Sequence, residues 1–307
     1  MFEAFQFGPI LIWTHFLFVL IGLWLSAEFF LRLAQSANLP INHFLEHGVW
    51  YCISFLLCGR LAGMIAEYRV YVNDPFRMII VWDGGFNLLG GAIGIAIVLY
   101  FTNLTHRATF LQWLDALVPA ASFGLVFDWL GAFFSGQSYG KPTDMFWGVA
   151  YDAQNVRYTV PIHPVQLYYA VFFFFLTFLL LIVRKKARRV GTETLVGICL
   201  MTIGTFIFES FRGDFGIPVF ATKLDFILMI ILFVSLGVFA AIELQLSQKS
   251  MYIYEGVLVS VIGIYMAMRR HIDIEFYELR FSQLLAVVAL LATVVYVIVH
   301  RRKYPHL

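Results

Sequence analysis

Charged side chains are scarce in this chain. Asp, Glu, Lys and Arg make up 13% of its 307 residues, about half the share of an ordinary soluble domain. That shortage excludes a water-soluble globular fold, and a net charge of +2 supplies no basic surface for nucleic acid. Cysteine is scarcer still. Cys52, Cys58 and Cys199 are odd in number and scattered through apolar segments, which excludes a disulfide frame or a cysteine metal site and reads as buried thiols. The N-terminus, Met1-Phe2-Glu3-Ala4-Phe5, lacks the basic region and cleavage site of a secretory signal, so the first apolar segment is expected to be retained. Repeats and low-complexity linkers are missing. So is any arginine between Arg107 and Arg157, and no function needing a guanidinium can be placed in that stretch.

What the chain has in abundance is apolar length. Hydrophobic residues reach 61% and the mean hydropathy is +0.82. Runs of about 20 apolar residues can cross a bilayer. Nine are placed near residues 8–33, 41–64, 86–104, 112–134, 166–183, 194–211, 224–243, 251–268 and 282–299. Segments this uniformly apolar satisfy their backbone as helices rather than barrel strands. The expected fold is therefore an all-α polytopic membrane helix bundle of about nine transmembrane helices. Arg184-Lys185-Lys186-Ala187-Arg188-Arg189 and Arg301-Arg302-Lys303 are expected in the cytoplasm. Four spans separate them, so the two assignments agree, and counting back puts the N-terminus outside and the C-terminus inside. The 269–280 loop, with Arg269, Arg270 and Arg280, then lies outside, against the charge rule.

Ionisable residues inside such spans are costly and face a cavity or a partner. They are Glu28, Glu46, His47, Asp115, Asp128 and Glu209. Glu46 and His47 sit near a span end and suit anchoring at headgroups. Asp115 opens the fourth span and reads as a cap for it. Asp128 lies deeper and needs a partner. His43 and His47 share a helical face, but no third ligand accompanies them and no metal site is expected. The run Phe172–Phe175 reads as a lipid-facing or packing stripe.

Three polar stretches carry the functional signal. In Trp82-Asp83-Gly84-Gly85-Phe86-Asn87-Leu88-Leu89-Gly90-Gly91, two glycine pairs allow either tight helix packing or a backbone cradle for an anionic headgroup. Glu209-Ser210-Phe211-Arg212-Gly213-Asp214 closes the sixth span. Its Glu209 and Arg212, three apart, can pair with each other or hold a polar substrate. The loop from Gly136 to Pro164 is rich in turn residues and contains Tyr139, Gly140, Lys141-Pro142, Gly148 and His163-Pro164, followed by Gln166 and Tyr168. A connection this long is uncommon unless functional.

Taken together, these motifs resemble the prolipoprotein diacylglyceryl transferase family, bacterial membrane enzymes that move a diacylglyceryl group from phosphatidylglycerol to a lipoprotein signal-peptide cysteine. Four blocks match in order. They are Phe7-Gly8-Pro9; Gly59-Arg60-Leu61-Ala62-Gly63 with Asn73-Asp74-Pro75 and Val81-Trp82-Asp83-Gly84-Gly85; Gly136 through Val149 with His163-Pro164-Val165-Gln166-Leu167-Tyr168; and Phe206, Glu209, Arg212 and Asp214. The resemblance implies a family-like membrane domain over residues 1–245, with residues 246–307 as an additional C-terminal transmembrane hairpin. It also implies a bacterial inner-membrane location, a bound phospholipid or other lipid, no other cofactor, and a lateral opening to the bilayer. The headgroup-binding candidates are Gly84, Gly85, Gly90, Gly91, Asp128, Tyr139, His163, Gln166, Tyr168, Glu209 and Arg212.

The departures from the family pattern fall on one function. The family histidine aligns with Leu89, and the arginine of the signature G-R-x-G-N-F-I-N-x-E aligns with Trp129. Ala132 and Ser135 stand for its two asparagines, and Gln137 for its glutamate. A second family arginine aligns with Thr205, and the last residue of H-P-S-Q-L-Y-E is Tyr169. Neither Trp129 nor Thr205 offers the charged fork that grips a phosphate, and Leu89 cannot take a proton. The expectation is a catalytically degenerate relative, repurposed as a lipid-binding protein or as an accessory subunit that meets other membrane-complex subunits through its C-terminal hairpin. The alternative is a divergent active transferase working through Glu209, Arg212, His163, Asp128 and Tyr139, with charge from Arg60 or Lys141. A third reading, a pigment- or haem-binding subunit using His15, His43 or His47, rests on those histidines alone.

Overall fold

A computed structural model of the chain describes residues 4–7, 10–66, 68–78, 86, 88–103, 107–151, 156–187, 189–214, 218–221, 224–244, 247–269 and 278–301. Gly84, Gly85 and Asn87, and the side chains of His43 and Leu89, lie outside the described set. The chain divides into two compact units. The first comprises Met1–Gln137, Tyr151–Val156 and Tyr169–Thr194; the second comprises Ser138–Ala150, Arg157–Tyr168 and Leu195–Leu307.

The fold is an all-α membrane bundle, and each expected span contains a helix. These are α1 (Thr14–Ser36), α2 (Ile41–Glu46), α3 (Gly48–Ala66), α4 (Tyr68–Asn73), α5 (Leu88–Thr102), α6 (Arg107–Ser135), α7 (Val165–Lys186), α8 (Thr192–Glu209), α9 (Leu224–Phe239), α10 (Gln248–Arg269) and α11 (Phe281–Tyr296). Among the described residues, five helices are long and apolar enough to cross a membrane. Three more apolar segments, Gly90–Thr102, Ile230–Leu244 and Leu285–Val299, are shorter. The last two run into π-helical turns at Ala240–Leu244 and Val297–Arg301.

Three details differ from the sequence expectation. The first span does not begin as helix at residue 8. Ala4–Phe7 (β1) pairs antiparallel with Ile10–Trp13 (β2), and the helix starts at Thr14. β-branched and aromatic residues such as Phe5, Ile10, Ile12 and Trp13 suit an extended ribbon as readily as a helix. The second span is divided, with α2 ending at Glu46 and α3 starting at Gly48. The thiols are not uniformly buried either: Cys199 is, Cys58 is half-buried and Cys52 is exposed on the chain. Cys52 sits on an apolar helix, and lipid rather than protein is what would cover it.

In the first unit, α1 packs along α6 and α3 along α5. Lipid tails are as apolar as leucine, so close backbone approach and interhelical hydrogen bonds hold such pairs instead of a hydrophobic drive. A Cβ at Gly22 would lie 2.8 Å from Phe127 Cβ, and one at Gly131 would lie 2.7 Å from Phe18 Cβ. Ser26 Oγ donates to Ala120 O at 2.6 Å across the same pair. Between α3 and α5, Ser54 Oγ donates to Gly94 O at 2.8 Å. Phe30, Leu33, Ala34, Tyr51, Leu99, Trp113 and Ala116 form the core beside these contacts.

The second unit has its own core, built from Leu195, Cys199 and Phe206 of α8, Leu232, Leu236 and Phe239 of α9, and Val287, Leu290 and Val294 of α11. Buried Gln283 donates to Phe206 O at 2.9 Å, joining α11 to α8. Pro218–Ala221 (β3) and Glu278–Arg280 (β4) form a second antiparallel ribbon. Helix α10 touches α9 and leaves Tyr252, Ile253, Val257, Val259 and Ile264 exposed, a surface suited to lipid.

Candidate functional site

Two stretches of the connection between α6 and α7, Ser138–Ala150 and Arg157–Tyr168, form a backbone knot in the second unit. Residues 139–141 run between two other segments and bond to both. Lys141 N–H donates to Phe211 O at 2.8 Å and Gly213 N–H to Tyr139 O at 2.9 Å; on the other side His163 N–H donates to Lys141 O at 2.9 Å. Gly140 is required at the centre, where an added Cβ would lie 2.8 Å from His163 Cβ and closer still to His163 O. Thr143 N–H donates to Pro161 O at 2.9 Å, and Val149 and Ile162 exchange bonds at 3.0 Å. These contacts fix Tyr139, His163, Glu209 and Arg212 on one frame.

Arg212 is the charged centre of the knot. Its Nη1 lies 2.8 Å from Glu209 Oε1, its Nε donates to Asp214 Oδ1 at 3.1 Å, and Nη2 meets Asp214 Oδ2 as well. Burial pulls the guanidinium pKa down, and the two carboxylates more than reverse this, leaving it above the ordinary arginine value. Two carboxylates on one arginine make a closed structural cluster. A phosphate would have to displace one of them. Tyr139, buried, packs edge-on against Tyr158 with centroids 6.0 Å apart. Lys141 Nζ donates to Ser210 O at 2.9 Å.

A second polar group in this unit joins Trp147, Tyr168 and His163. Trp147 Nε1 donates to Tyr168 Oη at 2.7 Å, and Tyr168 Oη lies 3.0 Å from His163 Nδ1. Indole is a donor only, so the tyrosine proton is free to point at the imidazole. The direction Trp147 to Tyr168 to His163 then leaves Nδ1 as acceptor. Burial and, after it, the charge of Lys141 lower the pKa of His163, which agrees with a neutral ring. Gln166, wholly buried, follows at the start of α7. Thr205 is half-buried within α8.

The first unit holds the other family-related positions. Trp129 and Tyr169 stack face to face, with centroids 4.0 Å apart and planes 8° from parallel. Tyr169 stacks in turn near Phe173 and is only 2% exposed. The deep carboxylate Asp128 has its partner: Oδ1 lies 2.9 Å from His15 Nε2. That bond engages His15, one of the three histidines of the pigment reading. Gly90 and Gly91 serve the α3–α5 crossing, where a Cβ would lie 2.7 Å from Cys58 O and 2.5 Å from the Phe55 ring, respectively. Gln137 follows α6 and is exposed. Among the described residues, no group of three His, Cys, Asp or Glu side chains could hold a metal ion.

Sequence reasoning missed three participants. Asp115 does not cap its own helix. It lies within α6 and accepts from Gly191 N–H at 2.7 Å, Thr194 N–H at 2.9 Å and Thr194 Oγ1 at 2.7 Å, so it caps the N-terminus of α8 from a neighbouring helix. Arg184, read only as a marker of orientation, donates through Nη2 to Leu33 O at 2.8 Å and closes the end of α1. Asp214 was seen as part of a motif but not as the second carboxylate on Arg212. Its two-residue spacing from Arg212 was the available signal.

Fold and site together define a polytopic helical membrane protein with an ordered polar knot beside its spans. A model of the prolipoprotein diacylglyceryl transferase family matches residues 3–299, and the chain belongs to that family. It is similar to the phosphatidylglycerol–prolipoprotein diacylglyceryl transferase of Pseudoalteromonas atlantica, at 28% identity over 68% of this chain and 74% of that protein. The enzyme of the same name from Legionella pneumophila is 28% identical over 68% of this chain and 82% of its own length. That from Methylococcus capsulatus is 31% identical over 54% and 64%.

Proposed function

We propose that this chain is a catalytically silent member of the family that holds a membrane lipid less anionic than phosphatidylglycerol or acts as an accessory subunit of a membrane complex. The observation that carries this reading is the Trp129–Tyr169 stack. The family resemblance puts arginine at the first position and glutamate at the second, a pair of opposite charge. Here both are aromatic and they face each other. A joint exchange of an ion pair for a stack keeps the packing, worth about 0.5–1.5 kcal/mol beyond area burial, and removes the phosphate-binding fork. The natural location is a bacterial inner membrane with the Arg184–Arg189 end in the cytoplasm and the N-terminus outside. Partner subunits would meet the exposed face of α10.

The test is purification in mild detergent followed by mass spectrometry of the lipids and proteins that co-elute. A specific lipid or a stoichiometric partner is expected; a lone protein carrying only bulk lipid counts against the reading. One observation favours the alternative of a divergent transferase: His163 Nδ1 and Tyr168 Oη lie 3.0 Å apart, an imidazole–phenol pair with the chemistry for passing a proton through the tyrosine. Transfer of a labelled diacylglyceryl group to a lipobox peptide, abolished by His163→Gln, would make that the better account.

A further inference from the structure

Far from Tyr169, at the other end of α7, the first unit contains a cavity of about 190 Å³ lined by Ala37, Gln112, Asp115, Arg184, Ala187, Arg189, Val190 and Glu193. It is separate from the family-related positions described above. Among the described residues its walls carry two carboxyl groups and two guanidiniums, so acidic and basic groups face the same space.

The four charged groups are not equally engaged. Both Asp115 oxygens are taken by the start of α8. Glu193 is 2% exposed, yet its Oε1 has no hydrogen-bond partner among the described residues, and its Oε2 lies 3.9 Å from Arg184 Nη1. That Arg184 Nη1 is buried and likewise lacks a hydrogen-bond partner, its Nη2 being spent on Leu33 O and Ser36 Oγ. Buried carboxylate and guanidinium atoms left in this state are costly. The cavity therefore presents an acceptor that needs a donor and, close by, a donor that needs an acceptor.

We propose that this cavity binds a group joining a primary ammonium to a phosphate, supplied by the headgroup of an aminophospholipid such as phosphatidylethanolamine. The ammonium donates to Glu193 Oε1, and the phosphate accepts from Arg184 Nη1 and pairs with Arg189. A lining that offers both acidic and basic groups suits a zwitterion. Phosphatidylglycerol would bring a net negative charge with no cation to meet Glu193. Phosphatidylcholine is zwitterionic, but its quaternary nitrogen has no N–H to donate. The last turn of α7 carries Arg184, Lys185 and Lys186, side chains that sit at headgroup level, so the cavity lies where a headgroup is found. This inference does not depend on whether the chain retains transferase activity.

The protein is assembled into phosphatidylcholine nanodiscs carrying equal minor fractions of phosphatidylethanolamine and phosphatidylglycerol, and retained lipids are counted by native mass spectrometry. Phosphatidylethanolamine is expected to be retained above its share of the disc. Glu193→Gln is expected to lower that preference roughly tenfold, the loss of one charge-assisted hydrogen bond. Arg189→Gln, at a partly exposed position, is expected to lower it less, and keeps the test available if the Glu193 variant elutes as aggregate. Equal retention of the three lipids, or a preference unmoved by both variants, overturns the proposal and leaves the cavity to water. In discs of phosphatidylcholine alone, free phosphoethanolamine is then added and followed by phosphorus NMR. Broadening that depends on Glu193, without lipid preference in the mixed discs, overturns the lipid source.

Discussion

Arg212 and Arg184 each lie beside a buried carboxylate, but they are satisfied differently. Arg212 has Glu209 and Asp214 within hydrogen-bond reach. Arg184 spends one nitrogen on the carbonyl of Leu33 and holds its other nitrogen 3.9 Å from Glu193. The first arginine is a finished structural cluster, and the second leaves polar capacity facing a cavity. A guanidinium in a membrane protein is therefore no sign of a phosphate site until its partners have been counted. By that count Arg212 has its fork on two carboxylates, and Arg184 keeps one nitrogen outside hydrogen-bond reach of any described residue.

The sharpest way to break this comparison is to remove Arg212. Arg212→Ala leaves buried Glu209 uncompensated and is expected to cost about 3–5 kcal/mol in a mixed-detergent unfolding titration. Adding Glu209→Gln should recover part of the loss, whereas an arginine reserved for substrate would cost little to remove. Next in size, Trp129→Ala removes one face of the stack with Tyr169 and is expected to cost about 3 kcal/mol. The double change Trp129→Arg with Tyr169→Glu should be more stable than the sum of its single variants predicts, by about 1 kcal/mol. Additivity would mean that the two positions are not a coupled pair.

Asp115→Ala strips three hydrogen bonds from the start of α8 and is expected to cost about 2 kcal/mol, read in the same titration. The smallest effect concerns pH. Because burial and Lys141 hold the His163 pKa below its ordinary 6.5, the unfolded chain binds that proton more tightly than the folded one. The stability contributed by neutral His163 is present above pH 6.5 and is lost as pH falls through that value toward the lower folded one. Trp147 fluorescence, isolated by difference from a Trp147→Phe variant, should report the change over that window, and His163→Gln should remove it.

Much of the fold was legible from hydropathy, because long apolar runs in lipid have little choice but helix. The start of α1 was not, since the ribbon Ala4–Phe7 with Ile10–Trp13 uses residues as apolar as the helix that follows. Glu209–Arg212 could be read from a three-residue spacing. Asp115 could not, for its partners Gly191 and Thr194 lie 76 and 79 residues away. The departures at Trp129 and Tyr169 were each visible in the sequence as a loss. That they stack on each other is a fact of three dimensions that no spacing in the sequence showed.

The most direct measurement is equilibrium binding of phosphatidylglycerol to the purified protein, paired with transfer of its diacylglyceryl group to a lipobox peptide. The proposed exchange of a charged pair for Trp129 on Tyr169 predicts no preference for phosphatidylglycerol over phosphatidylcholine and no transfer above background. Selective retention of phosphatidylglycerol with turnover that depends on His163 or Arg212 would contradict the account.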